Sequence, residues 1–98
     1  MVKMRAKKVL YVIAYDIVDD KRRNRVSKIL EKYGSRINFS VFECMFTDSQ
    51  LLLVQRKIGN LIALDEDTVV YYPCCVNCYT KIVYQPCRRS DANVVLVR

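Results

Sequence analysis

The chain has 98 residues, 52% of them hydrophobic, with 17 Lys and Arg against 10 Asp and Glu and no histidine. That length suits one small domain, which buries roughly 60–65% of the surface its unfolded form exposes, so burial against a partner would add stability. The apolar content and the seven tyrosines argue against disorder. No apolar run approaches the roughly 18–20 residues of a membrane span. Residues 1–8 run straight into a strand-like segment without the layout of a signal peptide, so a cytosolic protein is expected.

The formal charge is +7, and its distribution is informative. Residues 1–36 hold eleven Lys and Arg against four acids, whereas residues 37–98 hold six of each. The excess therefore sits in the first third, as expected of a polyanion-binding face. The competing reading is a solvated helix face rich in Lys and Arg. Five cysteines (Cys44, Cys74, Cys75, Cys78 and Cys87) are an odd number in a chain read as intracellular, which argues against a disulfide framework.

Residues 9–15 form a continuous apolar run ending at Asp16, the pattern of a central strand buried on both faces. Asp19 and Asp20 are good N-cap residues for a helix over 21–33, in which Val26, Ile29, Leu30 and Tyr33 make one apolar stripe. Gly34 is the expected C-terminal stop. Residues 36–46 read as extended: Ile37, Phe39 and Val41 alternate onto one face, and Phe42 breaks the alternation. A bent or bulged strand, or two short ones, would explain the break. Thr47 and Gln50 have capping-box spacing ahead of a second helix with Leu51, Val54, Ile58, Leu61 and Ile62 on its core face, weakened slightly by Gly59. After the acidic turn 65–67 come a third strand over 68–73 and short strands over 81–84 and 94–97. The order predicts an α+β, ferredoxin-like sandwich, two helices on one face of a mostly antiparallel sheet. One domain spans 1–98, with a basic leader (1–7) and a C-terminal loop and strand (85–98). The strand over 94–97 is too apolar for a free edge and either closes its own sheet or adds to a partner's.

Asp16 ends a buried strand, where a side chain is held rigidly at the mouth of the fold. One aspartate is a poor Mg²⁺ site, but two meeting across a twofold axis would serve. The structural alternative is an Asp that caps the turn towards Asp19 and Asp20. With no histidine, a nuclease would need water activated by a metal, or Lys, Tyr or a carboxylate as base. Arg23, Arg25 and Arg36 could then bind phosphate, with Tyr15 and Phe42 lining the site. The two glycines, Gly34 and Gly59, make no phosphate loop, which excludes an ATPase or kinase of that kind. Cys75 and Cys78 form a CxxC beside Cys74 and Cys87; zinc or redox chemistry would need a fuller ligand set or a following helix, so reduced thiols in a turn are the simpler reading.

The run from Tyr11 to Ile17 followed by Asp19-Asp20-Lys21-Arg22-Arg23 resembles the opening of the CRISPR-associated protein 2 family, and Ser40-Val41-Phe42-Glu43 resembles its "SVFE" strand. The stretch from Leu30 to Gly34 and the Tyr-Tyr-Pro-Cys strand end before the CxxC extend the likeness over residues 8–84. The resemblance implies a ferredoxin-like homodimer in which the C-terminal strand completes the neighbour's sheet. It also implies a role in spacer acquisition, bridging copies of the CRISPR-associated integrase on double-stranded DNA. Some members are Mg²⁺-dependent nucleases acting on single-stranded RNA or double-stranded DNA; others act architecturally. By resemblance Asp16 is the metal-binding aspartate, and Tyr15, Arg23, Arg25, Arg36 and Phe42 match positions around the nuclease site. The expectation is a metal-dependent nuclease, with a non-catalytic duplex-binding subunit as the alternative. A small regulator that binds a metabolite is a third class, which nothing in the sequence favours.

Overall fold

The computed structural model describes residues 7–85. β1 (Val9–Asp16) is the keystone, because both its edges are hydrogen-bonded. On one side it pairs antiparallel with β3 (Val41–Phe46), from Val9 opposite Phe46 to Ala14 opposite Val41. On the other it pairs antiparallel with β4 (Thr68–Cys74), from Leu10 opposite Cys74 to Asp16 opposite Thr68. β2 (Gly34–Asn38) adds to β3, giving the order β2-β3-β1-β4. Two split β-α-β units, β1-α1-β2 and β3-α2-β4, thus share one antiparallel sheet, the expected ferredoxin-like arrangement.

α1 (Asp20–Glu31) starts where Asp19, in extended conformation, accepts a hydrogen bond from the Arg22 backbone N–H at 3.0 Å. α2 (Asp48–Leu61) has the expected capping box: the Gln50 N–H donates to Thr47 Oγ1 and the Thr47 N–H to Gln50 Oε1. Both helices press their apolar stripes on one sheet face. Val26, Leu30, Val54 and Ile58 meet Ile13, Tyr15, Phe42, Cys44 and Phe46 there, all essentially buried. Tyr33 and Phe46 add a tilted ring contact with centroids 5.1 Å apart.

The extended segment over 36–46 is two short strands joined at Phe39 and Ser40, one of the expected alternatives, with a register shift between Arg36 and Asn38. Several other expectations are corrected. Phe39 does not share a sheet face with Val41; it stands at the turn, 69% exposed. Gly34 is not a helix-terminating residue: Lys32 caps α1 in helical conformation, and Gly34 begins β2. A Cβ on Gly34 would lie 1.8 Å from the Glu43 carbonyl oxygen and 2.7 Å from the Cys44 Cα, so glycine is needed for close approach of two strands. Residues 81–84 form no strand; the Tyr84 hydroxyl donates to Glu43 Oε2. A one-turn helix, α3 (Val76–Tyr79), follows β4 where only a turn was expected. The expected strand over 94–97 lies outside the described residues, as do most of the leader and Cys87.

Alternation puts Val12, Ala14, Val41, Glu43, Met45, Val70 and Tyr72 on the face opposite the helices. Met45, Val70 and Tyr72 there are 42–54% exposed. Among the described residues no helix is long and apolar enough to cross a membrane.

The two glycines give opposite expectations. Gly34→Ala should cost at least ~2 kcal/mol, because two backbones must separate. Gly59→Ala, with nothing within 4 Å of the new Cβ inside α2, should stabilise by about 0.5–1 kcal/mol. Urea unfolding midpoints with an unchanged m-value would measure both.

Candidate functional site

Asp16 is the last residue of the central ladder, opposite Thr68, and its side chain is exposed. Ile17, only 3% exposed, turns back into the core. The chain is thereby anchored on both sides of the carboxylate: by the ladder before it and by an apolar side chain after it. Among the described residues the Asp16 carboxylate accepts no hydrogen bond and joins no ion pair, so its oxygens face solvent. A turn-capping role for Asp16 is thus not what the structure shows; Asp19 takes that part.

The arginines divide into committed and free. Arg23 reaches back to the β1–α1 loop: Nη2 donates to the Ile17 carbonyl at 2.9 Å and the Val18 carbonyl at 3.3 Å, Nε donates to Ile17 at 3.3 Å, and Nη1 pairs with Asp20 at 2.5 Å. Arg36 donates to Ser27 Oγ at 2.6 Å, and its guanidinium lies 5.5 Å from the Phe42 ring centroid. Arg25 is exposed. With Lys21, Lys28 and Lys32 it makes a stripe spaced four, three and four residues apart along the solvent side of α1. None of these four joins an ion pair among the described residues.

Tyr15 and Phe42 stack with centroids 6.2 Å apart on the helix-covered face, 5% and 0% exposed respectively. They form a packed floor under Arg36. The fold therefore gathers Tyr15, Phe42 and Arg36 beneath α1, and Asp16 with Arg23 at the loop. Arg25 stands apart on the helix surface.

Two residues that mattered were not singled out by sequence reasoning. Asp67, with a fully buried side chain, accepts from the Val18 N–H (3.0 Å), the Ala63 N–H (2.8 Å), Arg22 Nε (2.8 Å) and Arg22 Nη2 (3.3 Å). Arg22 also reaches Glu66 at 3.0 Å. Asp67 had been read as part of an acidic turn. Only the β1–β4 register, which sets Asp16 opposite Thr68, brings it to the β1–α1 loop. The Arg22 guanidinium, aided by the two backbone N–H groups, holds the Asp67 carboxyl well below its ordinary range, at about 2.

A divalent ion such as Mg²⁺ takes hard oxygen ligands, with one or two carboxylates from protein. The solvent-facing Asp16 carboxylate suits it, although one chain supplies a single such group. Among the described residues no three His, Cys, Asp or Glu gather as a metal set, and this includes Cys74, Cys75 and Cys78. Cys75 caps α3, its sulfur accepting from the Cys78 N–H at 3.3 Å, and this hydrogen bond lowers the Cys75 thiol pKa. Burial, then the Glu43 charge, pushes Cys44 up to about 12. A cavity of about 670 Å³, lined by Lys8, Leu10, Met45, Cys74 and Val76, lies at the opposite end of β1. A strand of this length sets it roughly 20 Å from Asp16, outside the candidate site.

These features define a small ferredoxin-like α+β domain with an exposed carboxylate ending its central strand and a cationic stripe on its first helix. The profile described as "CRISPR associated protein Cas2" matches residues 9–82. The chain belongs to that family. It is 48% identical over 68 residues to "CRISPR-associated endoribonuclease Cas2 4" of Rhodospirillum rubrum, a match covering 69% of this chain and 55% of the relative. This match therefore spans little more than half of the relative's length. A crystal structure of a hypothetical protein from Thermus thermophilus superposes with a TM-score of 0.68 at 39% identity, covering 70% of this chain and 84% of that one. A chain of the "Partial Cas6-RT-Cas1--Cas2 complex" superposes with a TM-score of 0.69 at 26% identity, covering 92% and 99%.

Two outcomes follow from the titrating groups. Asp67 is depressed in the fold, so its contribution is complete above the ordinary carboxylate pKa near 4 and is lost as pH falls towards about 2. Urea midpoints should drop across that window in the unmodified protein, and Asp67→Asn should be less stable at neutral pH with a flatter acid limb. Thiol alkylation near neutral pH should reach Cys75 before Cys78, and Cys44 only on unfolding; mass mapping of labelled peptides reads the order.

Proposed function

We propose that the protein acts as a homodimer in CRISPR spacer acquisition and cleaves phosphodiester bonds of RNA or double-stranded DNA with Mg²⁺. The observation that carries this reading is the exposed, unpaired Asp16 carboxylate at the end of the central strand, close in sequence to the free cations of α1. The family supports it, as does the word "endoribonuclease" in the name of the Rhodospirillum rubrum relative. The complex named for Cas6-RT, Cas1 and Cas2 supports a CRISPR-associated integrase as partner.

In this reading Asp16 of each subunit would hold the metal, the pair supplying the carboxylates that one chain lacks. The apolar sheet face with Met45, Val70 and Tyr72 favours a second copy as its cover. Bound Mg²⁺ would activate the attacking water and polarise the phosphoryl oxygens. Arg25 and its neighbours on the stripe hold the nucleic-acid backbone. Arg23, already pinned to the loop carbonyls, presents its remaining N–H capacity near Asp16. Arg36, Phe42 and Tyr15 keep β1 and β3 rigid beneath the site.

A second reading is favoured by the same charge pattern. The free cations lie along the helix rather than converging on Asp16, which suits an architectural subunit that grips a duplex without cutting it.

Asp16→Ala separates the two. Mg²⁺-dependent cleavage of labelled RNA and duplex DNA should fall by about 10²–10³-fold, with duplex affinity kept within about twofold. Arg25→Ala should lower the slope of log affinity against log salt by about one. An unmodified protein that binds duplex but cuts neither substrate would establish the architectural reading.

A further inference from the structure

We propose that Asp67 and Arg22 form a positioning clamp that fixes Asp16 and Arg23 in their working places. The inference rests on the reading of Asp16 and Arg23 as groups that act on a phosphodiester. Its geometry stands independently.

The loop between β1 and α1 consists of Ile17, Val18 and Asp19, and each is held from a different direction. The Val18 N–H is taken by Asp67 Oδ1. The carbonyls of Ile17 and Val18 are taken by Arg23. Asp19 caps the helix by accepting from the Arg22 N–H. Arg22 then returns its guanidinium to Asp67, donating from Nε and Nη2. A closed circuit results: Asp67, Val18, the loop, Asp19, Arg22, and back to Asp67. The Ala63 N–H ties this circuit to the end of α2, so the loop is referenced to both helices and to the start of β4.

A three-residue loop at the end of a strand would otherwise be the most mobile part of the site. The circuit ties Val18 to a buried carboxylate and the Ile17 and Val18 carbonyls to Arg23, so movement of the loop must break one of these hydrogen bonds. Removing one partner of a buried charged pair leaves the other unsatisfied, so the circuit should open cooperatively rather than loosen by degrees. The Asp67 side chain is fully buried, and Arg22, 25% exposed, commits Nε and Nη2 to Asp67 and Glu66. Both therefore act through Asp16 and Arg23.

The test compares Arg22→Met, Arg22→Lys and Asp67→Asn with Val54→Ala, a core truncation in α2 that removes none of the circuit's hydrogen bonds. All are measured at a temperature where far-UV circular dichroism shows each folded. Backbone order parameters at Asp16, Ile17 and Val18 come from ¹⁵N relaxation, and cleavage rates and substrate affinities from single-turnover assays with Mg²⁺. Arg22→Met and Asp67→Asn should take the Val18 order parameter from about 0.85 to below about 0.6, with smaller falls at Asp16 and Ile17, which the ladder and the core still hold. They should also lower the cleavage rate at saturating substrate by at least about tenfold while affinity changes less than about twofold. Arg22→Lys, which restores charge without the planar fork, should recover part of both. Val54→Ala should lower the melting temperature yet leave the loop ordered and the rate near that of the unmodified protein. Unchanged order in Arg22→Met, or a disordered loop with undiminished cleavage, would overturn the clamp, as would equal losses in Val54→Ala. If the unmodified protein cuts nothing, the nuclease reading falls on its own, and the clamp is judged on the order parameters alone. Should Asp67→Asn fail to fold, the two Arg22 variants decide.

Discussion

Everything in this fold is referenced to β1, because it pairs along one edge with β3 and along the other with β4, the two strands of the second β-α-β unit. A strand in that position has no free backbone donors or acceptors to exchange with water, so its register fixes its neighbours'. Setting Val12 opposite both Glu43 and Tyr72 sends Ile13 and Tyr15 to the helix side and Val12 and Ala14 to the other. The same register brings Asp16 level with Thr68, and hence places the Asp67 carboxylate beside the loop that follows Asp16. Site and core are consequences of one pairing pattern.

The two faces of the sheet are unequal in what they ask of a partner. The helix side is dry and closed, with Phe42, Phe46 and Ile13 almost wholly buried. The other side sets Glu43 among Val12, Val41, Met45 and Tyr72, where a buried carboxylate needs hydrogen-bond donors. The Tyr84 hydroxyl supplies one, which ties the segment after α3 to this face of the sheet. A face that is apolar at its rim and carries one satisfied carboxylate at its centre favours a specific, registered contact over indiscriminate sticking.

The local signals were legible, and the long-range ones were not. Hydrophobic period and cap chemistry are written within a few residues, so β1, α1, the Thr47–Gln50 box and β4 could be read directly, α1 to within two residues at its C-terminal end. Gly34 was misread because a glycine after a helix has two physical uses, a left-handed cap or a close strand approach. Only the distance to Glu43 separates them. Phe42 interrupted an alternation because a turn and a register shift stood between Ile37 and Val41, and neither Phe39 nor Ser40 signals a turn strongly. At the site, Asp16 was visible from its place at a strand end. Its surroundings were not: Asp67 is 51 residues further along the chain, and its role depends on which strand lies beside β1.

The charge of the first helix has to be discounted before it is used. Arg22 and Arg23 contribute to the formal excess in the first third of the chain, yet both guanidiniums are occupied by internal acceptors. Along α1, besides one N–H of Arg23 left over beside Asp16, what stands clear of internal acceptors among the described residues is the stripe of Lys21, Arg25, Lys28 and Lys32. Eleven residues of helix separate its ends, about 16 Å at 1.5 Å per residue. Along B-DNA that span passes about five phosphates of one strand. Four cations in a row on a straight helix match the spacing of a backbone rather than a single phosphate, and they carry no means of reading bases. In the proposed function, backbone contact along α1 and any chemistry at Asp16 are thus separate properties of one short segment. The clamp at Asp67 joins them, since the loop it fixes is the only covalent link between the strand that carries the carboxylate and the helix that carries the charge.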